Sequence, residues 1–393
     1  MSLLPVAEAQ SRLMALATPL PAEHVAVPAC AGRWLTEDVV ALRDQPWADL
    51  SAMDGYAVRA AEWPGPWQVA AESAAGGPPP PLLEPGQACR IFTGAPLPQG
   101  ADSILIQENA ARQGDVLRGL DEALATGRHV RPAGSDFRKG GLLLKAGGAL
   151  GPAQIALAVL GGHAALPVSR RARVALLSTG NELVPPGMPT QPGQLPSSNA
   201  PMLAAMLSGL SCDIVDLGIV PDDLPGTVRA FVRAGEADII LSTGGASVGD
   251  HDFVRPAFVQ AGGSLDFWKI RMRPGKPLMA GTLGSAVFLG LPGNPVSAFV
   301  TATLFLLPLV RHMMGAASPL PRTAPATLAA PLPATGERDD YLRAFRTEAG
   351  IVSVTSQDSA ATAALAMADC LILRPAGSAP AAAGDPVTVL PLA

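Results

Sequence analysis

The sequence predicts a multidomain protein of the α/β plus β class, with a central α/β domain, an inserted β domain, a helical or mixed linking domain and a small C-terminal β domain. Three observations carry that expectation. From Arg173 onward, short apolar runs alternate with helical patterns, the mark of a parallel α/β sheet. Two of those runs end in the same tetrapeptide, Leu-Ser-Thr-Gly, at residues 177–180 and 241–244. Residues 45–131 and the stretch beyond residue 316 instead show short strand-like runs broken by glycine and proline.

Taken in order, residues 6–16 carry apolar side chains at helical spacing, and Pro19 and Pro21 end the pattern. A second helical piece, residues 152–160, follows only after the strand-like insertion. The two are read as parts of one discontinuous linking domain, residues 1–44 and 132–170, interrupted by the inserted β domain at 45–131. Within the insertion, Gln68-Val69-Ala70-Ala71, Ala88-Cys89-Arg90-Ile91-Phe92 and Ser103-Ile104-Leu105-Ile106 read as strands. Gly76-Gly77-Pro78-Pro79-Pro80-Pro81 fits neither helix nor central strand and reads as an exposed loop. Asp54, beside a glycine in Met53-Asp54-Gly55-Tyr56-Ala57, and Thr93, in Phe92-Thr93-Gly94-Ala95-Pro96, read on their own as turn residues.

The α/β domain, residues 171–316, begins with the strand Val174-Ala175-Leu176-Leu177 and the loop Ser178-Thr179-Gly180-Asn181-Glu182. A helix over 199–207 has Asn199 as a candidate N-cap. The strand Asp213-Ile214-Val215 leads through Val220-Pro221-Asp222-Asp223 to a helix near 227–234. Ile239-Ile240-Leu241 then enters the glycine-rich loop Ser242-Thr243-Gly244-Gly245-Ala246-Ser247-Val248-Gly249-Asp250-His251-Asp252. After a helix at 254–260, residues 265–272 read as extended up to Arg273-Pro274-Gly275-Lys276-Pro277. The strand Ala286-Val287-Phe288-Leu289 ends in Pro292-Gly293-Asn294-Pro295-Val296-Ser297, ahead of a long apolar helix. Residues 316–334, rich in proline and alanine, read as a linker to the C-terminal domain at 317–393.

Ligands of open parallel sheets bind beyond the carboxyl ends of the strands, so the three glycine-rich loops are expected to open on one crevice. Glycine lets backbone N–H groups converge on an oxyanion. Lys269, Arg273 and Lys276 could surround a phosphate or tetrahedral oxyanion, or be solvated charges. Glu182, Asp222, Asp250 and Asp252 offer hard oxygens suited to Mg²⁺, or simply cap helices and turns. Ser297 reads as a helix cap or a phosphate donor.

Composition limits the alternatives. A net charge of −5 argues against non-specific nucleic-acid binding. The four cysteines lie far apart without a Cys-x-x-Cys pair, so neither a disulfide framework nor a zinc site is expected. The first residues lack a signal-peptide pattern, and residues 298–310, the longest apolar stretch, read as too short to span a bilayer. The expectation is a soluble cytoplasmic protein without membrane contact. No Ser-His-Asp set, GxxxxGK[ST] loop or GxGxxG fingerprint is present.

Six motifs in order, Met53-Asp54-Gly55-Tyr56-Ala57, Phe92-Thr93-Gly94-Ala95, Ser178-Thr179-Gly180-Asn181-Glu182-Leu183, Gly244-Gly245-Ala246-Ser247-Val248-Gly249, Arg273-Pro274-Gly275-Lys276-Pro277 and Pro292-Gly293-Asn294-Pro295-Val296-Ser297, resemble the molybdopterin molybdenumtransferase family (MoeA and the gephyrin E domain). The resemblance runs over nearly the whole chain and is weakest at the C-terminus. It implies an elongated homodimer of four-domain subunits, a molybdopterin-binding α/β domain and a barrel-like C-terminal domain. It implies, too, a reaction in which adenylylated molybdopterin and molybdate, with Mg²⁺, give molybdenum cofactor and AMP.

By the same resemblance, Asp54 and Thr93 come from the second subunit. Glu182, Asp222, Asp252, Lys269, Arg273 and Lys276 come from the first, with Glu182, Asp222 and Asp252 the metal ligands. Ser178, Thr179, Gly180, Gly244, Gly245, Ser247, Gly249, Pro292, Gly293, Asn294, Pro295 and Ser297 bind the pterin substrate. Asp136 falls on a further acidic position. Contact with molybdopterin adenylyltransferase and with molybdoenzyme maturation factors is implied as well. Two departures stand out. Asp358 and Ala360 replace glycines of a Gln-Gly-Ser-Gly loop, and Arg273 occupies a position that can be lysine in relatives. The rival readings are adenylyl transfer to molybdopterin, which belongs to small single-domain relatives, and a cofactor-binding scaffold without turnover.

Overall fold

The computed structural model describes residues 3–120, 122–245 and 253–392. Its central sheet has six strands: β1 (Arg173–Thr179), β2 (Asp213–Val220), β3 (Ile239–Thr243), β4 (Ser264–Trp268), β5 (Met279–Leu283) and β6 (Ala286–Leu291). They lie in the order β2-β1-β3-β6-β5-β4. β2, β1, β3 and β6 are parallel, and β5 runs antiparallel to both of its neighbours. The sheet is thus mixed, not purely parallel as the alternation suggested. The sequence reading passed over β5, which reaches β6 through the two-residue turn Gly284-Ser285, where Gly284 takes a φ of 60°.

Successive side chains of a strand point to opposite faces, so apolar runs such as Val174-Ala175-Leu176-Leu177 feed two cores. Val174 and Leu176 pack with Ile239, Leu241 and Leu289 on one face, and Ala175 and Leu177 with Ile240 and Phe288 on the other. The second face is closed by α2 (Leu224–Ala234) and α3 (Val254–Gln260), whose Phe231 and Phe258 rings lie 5.4 and 4.2 Å from Phe288. The first face carries α1 (Asn199–Ser208) and the apolar helix starting as α4 (Pro295–Thr301), which continues through a π-helical segment to Met313. That helix is 19 residues long, more than the sequence suggested. It meets the length and hydropathy of a membrane span, yet its most apolar window is 78% buried inside the protein, as befits a core helix.

The linking region pairs Ala22–Ala26 with Ala165–Ser169 and Val39–Val40 with Leu142–Leu144 around its own small core. Its first helix, Val6–Ala15, instead buries Val6, Ala9 and Leu13 in the core of the central domain. The insertion folds as a six-stranded sheet around the buried Trp67. Val130–Arg131 returns to pair with Leu50–Ser51 at its root.

At the C-terminus, Asp339–Thr347, Cys370–Arg374, Pro386–Pro391 and Ala324–Thr327 form a sheet, with Gly350–Ser353 as a hairpin partner. Leu328 bridges to Ile351, bringing the sheet's ends together in a small barrel-like curl. The strand Ala324–Thr327 lies inside the stretch expected to be linker. It pairs with Pro386–Pro391 as an edge strand, the place in a sheet where Pro325, lacking an N–H, is tolerated.

Candidate functional site

The carboxyl ends of β1, β3 and β6 converge, as expected, on one crevice of about 1270 Å³. Its floor and walls include Ser178, Thr179 and Gly180 after β1, Thr243, Gly244 and Gly245 after β3, and Pro292, Gly293, Asn294, Pro295 and Ser297 after β6. Gly244 has a φ of 93°, and a Cβ there would fall 2.3 Å from the Thr179 carbonyl oxygen. Only glycine lets these two loops touch. Ser247, Gly249, Asp250 and Asp252 lie outside the described residues.

The loops are fastened to one another by groups that sequence reasoning assigned otherwise or passed over. Asn199 is not the helix cap: Ser198 holds that position, and Asn199 is the first helical residue. Its buried amide donates to Thr243 Oγ1 and to the Gly293 carbonyl, both at 2.7 Å, joining the β3 loop to the β6 loop. Asn181 and Asp222 exchange two hydrogen bonds of 3.1 Å, joining the β1 loop to the β2 loop. Asp223 caps α2 by accepting from the Gly226 N–H at 2.6 Å, which starts that helix at Leu224 and not near Thr227.

The charged lining is mixed. Glu182, Asp222 and Asp358 line the crevice as acids, with Arg273, Lys276 and Arg338 as cations. Asp340, 5% exposed, accepts from Arg273 Nη2 at 2.6 Å, while the arginine side chain is 57% exposed. Lys269 departs from the expectation: it is not among the residues lining the crevice. It sits at the end of the edge strand β4 with a φ of 80°, its ammonium 4.3 Å from the centre of the Trp268 ring, and cation–π attraction holds it there.

The C-terminal loop reaches the crevice, and Gln357, Asp358, Ser359 and Ala360 line it. Asn294 Nδ2 donates to Ser359 Oγ at 2.8 Å and the Val296 N–H to the Ser359 carbonyl at 3.2 Å. Behind the loop, the buried Arg343 donates to the carbonyls of Asp358 and Ala361 at 2.9 and 3.0 Å. Asp358 Oδ1 accepts the Ala360 N–H at 2.9 Å, closing a local turn where the resemblance led us to expect glycines. Nothing in the sequence marks Arg343 or Asp340 as bound to this site; they lie on a strand that only tertiary pairing brings beside it.

Asp54 and Thr93 meet each other on the insertion, away from the crevice of their own chain. The Thr93 N–H and hydroxyl donate to Asp54 Oδ1 at 2.7 and 2.8 Å. Those two donors, with a smaller contribution from Arg90, hold the Asp54 carboxyl below its ordinary pKa. Asp136 is exposed on a turn whose N–H donates to the Gln45 carbonyl, and does not line the crevice.

Among the described residues no cluster of three or more His, Cys, Asp or Glu side chains forms a ready metal cage. Of the three residues expected to hold Mg²⁺, Glu182 and Asp222 line the crevice, and Asp252 lies outside the described residues.

An α/β sheet with glycine loops around one crevice, an inserted β domain and a barrel-like C-terminal sheet define a multidomain protein of the α/β plus β class. Residues 4–162 match the family described as "MoeA N-terminal region (domain I and II)", 175–312 the "Probable molybdopterin binding domain" and 325–392 the "MoeA C-terminal region (domain IV)". Proteins named molybdopterin molybdenumtransferase are similar along nearly their whole length. One from Haemophilus influenzae is 34% identical over 99% of this chain and 98% of its own, and one from Staphylococcus aureus is 30% identical over 98% and 95%. A solved molybdopterin biosynthesis MoeA protein from Pyrococcus horikoshii superposes with a TM-score of 0.84 at 25% identity, covering 99% of both chains. The chain belongs to the molybdopterin molybdenumtransferase family, and it is a transferase of molybdenum cofactor biosynthesis.

Proposed function

We propose that this chain inserts molybdate into adenylylated molybdopterin, giving molybdenum cofactor and AMP, with Mg²⁺ required. The observation that carries the reading is the convergence on one crevice of glycine loops, three cations and three carboxylates, Glu182, Asp222 and Asp358. Each feature matches one part of such a substrate pair. The amides and hydroxyls of the β1, β3 and β6 loops suit the phosphate of the pterin. Arg273, Lys276 and Arg338 suit molybdate and the phosphoanhydride. Glu182 and Asp222 would hold Mg²⁺, with Asp252 expected beside them; the ion supplies neutralisation of the charge that builds on the phosphates. The chain's own contribution is positioning and fixed charge, which is most of what phosphoryl chemistry asks of a protein. The dithiolene sulfurs belong to the substrate, consistent with four cysteines that remain free.

The reading includes a homodimer in which the Asp54–Thr93 pair of one subunit completes the crevice of the other. It further includes a cytoplasmic setting, without nucleic-acid or membrane contact. There the protein receives substrate from molybdopterin adenylyltransferase and passes product to molybdoenzyme maturation factors. The test supplies purified protein with adenylylated molybdopterin, Mg²⁺ and molybdate, following AMP by chromatography and cofactor by reconstitution of an apo-molybdoenzyme. Release of AMP together with active cofactor is expected. Tight substrate binding without AMP release would instead mark a scaffold.

A further inference from the structure

Arg273 lies on a two-residue strand, Met272–Arg273, that pairs in parallel with Asp339–Asp340 of the C-terminal sheet, Arg273 opposite Asp340. The ion pair between them is lopsided. The Asp340 side chain is 5% exposed and fixed in the sheet, while that of Arg273 is 57% exposed and faces the crevice. A guanidinium has five N–H donors in a rigid fork. Only Nη2 is engaged by Asp340 among the described residues, at 2.6 Å. Among the described residues its other N–H donors have no partner, and they remain exposed on the side of the crevice.

We propose that Asp340 is a positioning residue for the oxyanion substrate: it anchors one arm of Arg273 so that the other arm presents N–H donors to that ligand in the crevice. The proposal rests on the reading that the crevice takes an oxyanion, and it explains why a fork stands where a point charge would also supply the sign. A lysine ammonium bound to a buried carboxylate is drawn toward it, whereas an arginine serves two anions at once. The C-terminal domain thereby acts on the chemistry of the α/β domain through one side chain.

The test is a double-mutant cycle of Asp340→Asn and Arg273→Met in the full-length protein. It is read by molybdate KM and kcat in the AMP-release assay, by equilibrium molybdate binding and by thermal unfolding. Asp340→Asn is expected to raise the molybdate KM about tenfold, the loss typical of one charge-assisted hydrogen bond, with kcat changed little. In the Arg273→Met background the same substitution should have no further effect on KM, because its partner is gone. An unchanged KM in Asp340→Asn, or equal and additive losses in both backgrounds, overturns the proposal. Should Asp340→Asn fail to fold, Arg273→Lys carries the test: its ammonium, taken up by Asp340, should bind molybdate about tenfold more weakly, and unchanged affinity overturns the proposal. A wild-type protein without turnover would defeat the functional reading alone. The cycle is then scored in equilibrium molybdate binding, where a lack of additivity supports the pairing and additivity overturns it.

Discussion

The Asp54–Thr93 pair shows what a single contact does to a charge. Two donors from one residue converge on Asp54 Oδ1, so the ionised form is favoured and the pKa falls. The sign follows: the contact is fully present above the ordinary carboxylate range and is lost as pH drops through the lowered folded value. Asp54 therefore stays a carboxylate throughout the neutral range. Replacing Thr93 by Val removes the hydroxyl donor and leaves the backbone donor, so the Asp54 pKa should rise part of the way toward its ordinary value. A ¹³C-detected titration of the aspartate carboxyls in wild type and variant measures this; an unchanged Asp54 pKa would show that the hydroxyl bond is not formed in solution. In the sequence these two residues looked like turn formers, which they also are. The family resemblance, not their local context, singled them out. Lys269 teaches the converse: its charge was visible in sequence, but its ring partner and left-handed backbone were not.

Among the elements, strand ends were legible and the fasteners between them were not. Apolar runs followed by glycine marked β1, β3 and β6 because each strand must be buried on both faces and must then turn sharply. The antiparallel β5 was hidden, since Met279-Ala280-Gly281-Thr282-Leu283 carries a glycine and no strong alternation. Asn199 looked like a cap because asparagine favours caps. Its actual partners, Thr243 and Gly293, lie 44 and 94 positions away, beyond the reach of any local pattern. The amide is a brace between two crevice loops, and its loss should be felt in both stability and binding. Asn199→Ala removes one buried and one part-buried hydrogen bond and leaves the Gly293 carbonyl without that donor, which should cost about 1–3 kcal/mol in denaturant unfolding. The pterin substrate should also bind more weakly as the β3 and β6 loops separate. Wild-type unfolding and substrate affinity in this variant would show that the brace carries no load.

For the whole molecule, the decisive feature is where the chain puts its functional groups relative to one another. Arg273, Lys276, Glu182 and Asp222 line the crevice of the α/β domain, which the C-terminal loop also borders. The Asp54–Thr93 pair sits in turns of the inserted domain and does not line that crevice. The change of pattern along the chain marks it as multidomain, and the order of motifs points to the family. No one-dimensional pattern can say whether groups on two domains meet within one chain or between two. If two subunits share each site, lesions in the insertion and in the crevice should complement. Co-expression of Asp54→Asn with Lys276→Ala, each inactive alone, would give mixed dimers in which one site combines an intact insertion with an intact crevice and the other collects both lesions. With random pairing about a quarter of all sites should be whole, so activity should return to roughly that share of wild type. Tagging the two variants differently and purifying through both tags should raise the share to about half, because only mixed dimers remain. If the doubly purified sample shows no more than the sum of the two residual activities, each site is built within a single chain, and the Asp54–Thr93 pair must serve some other purpose.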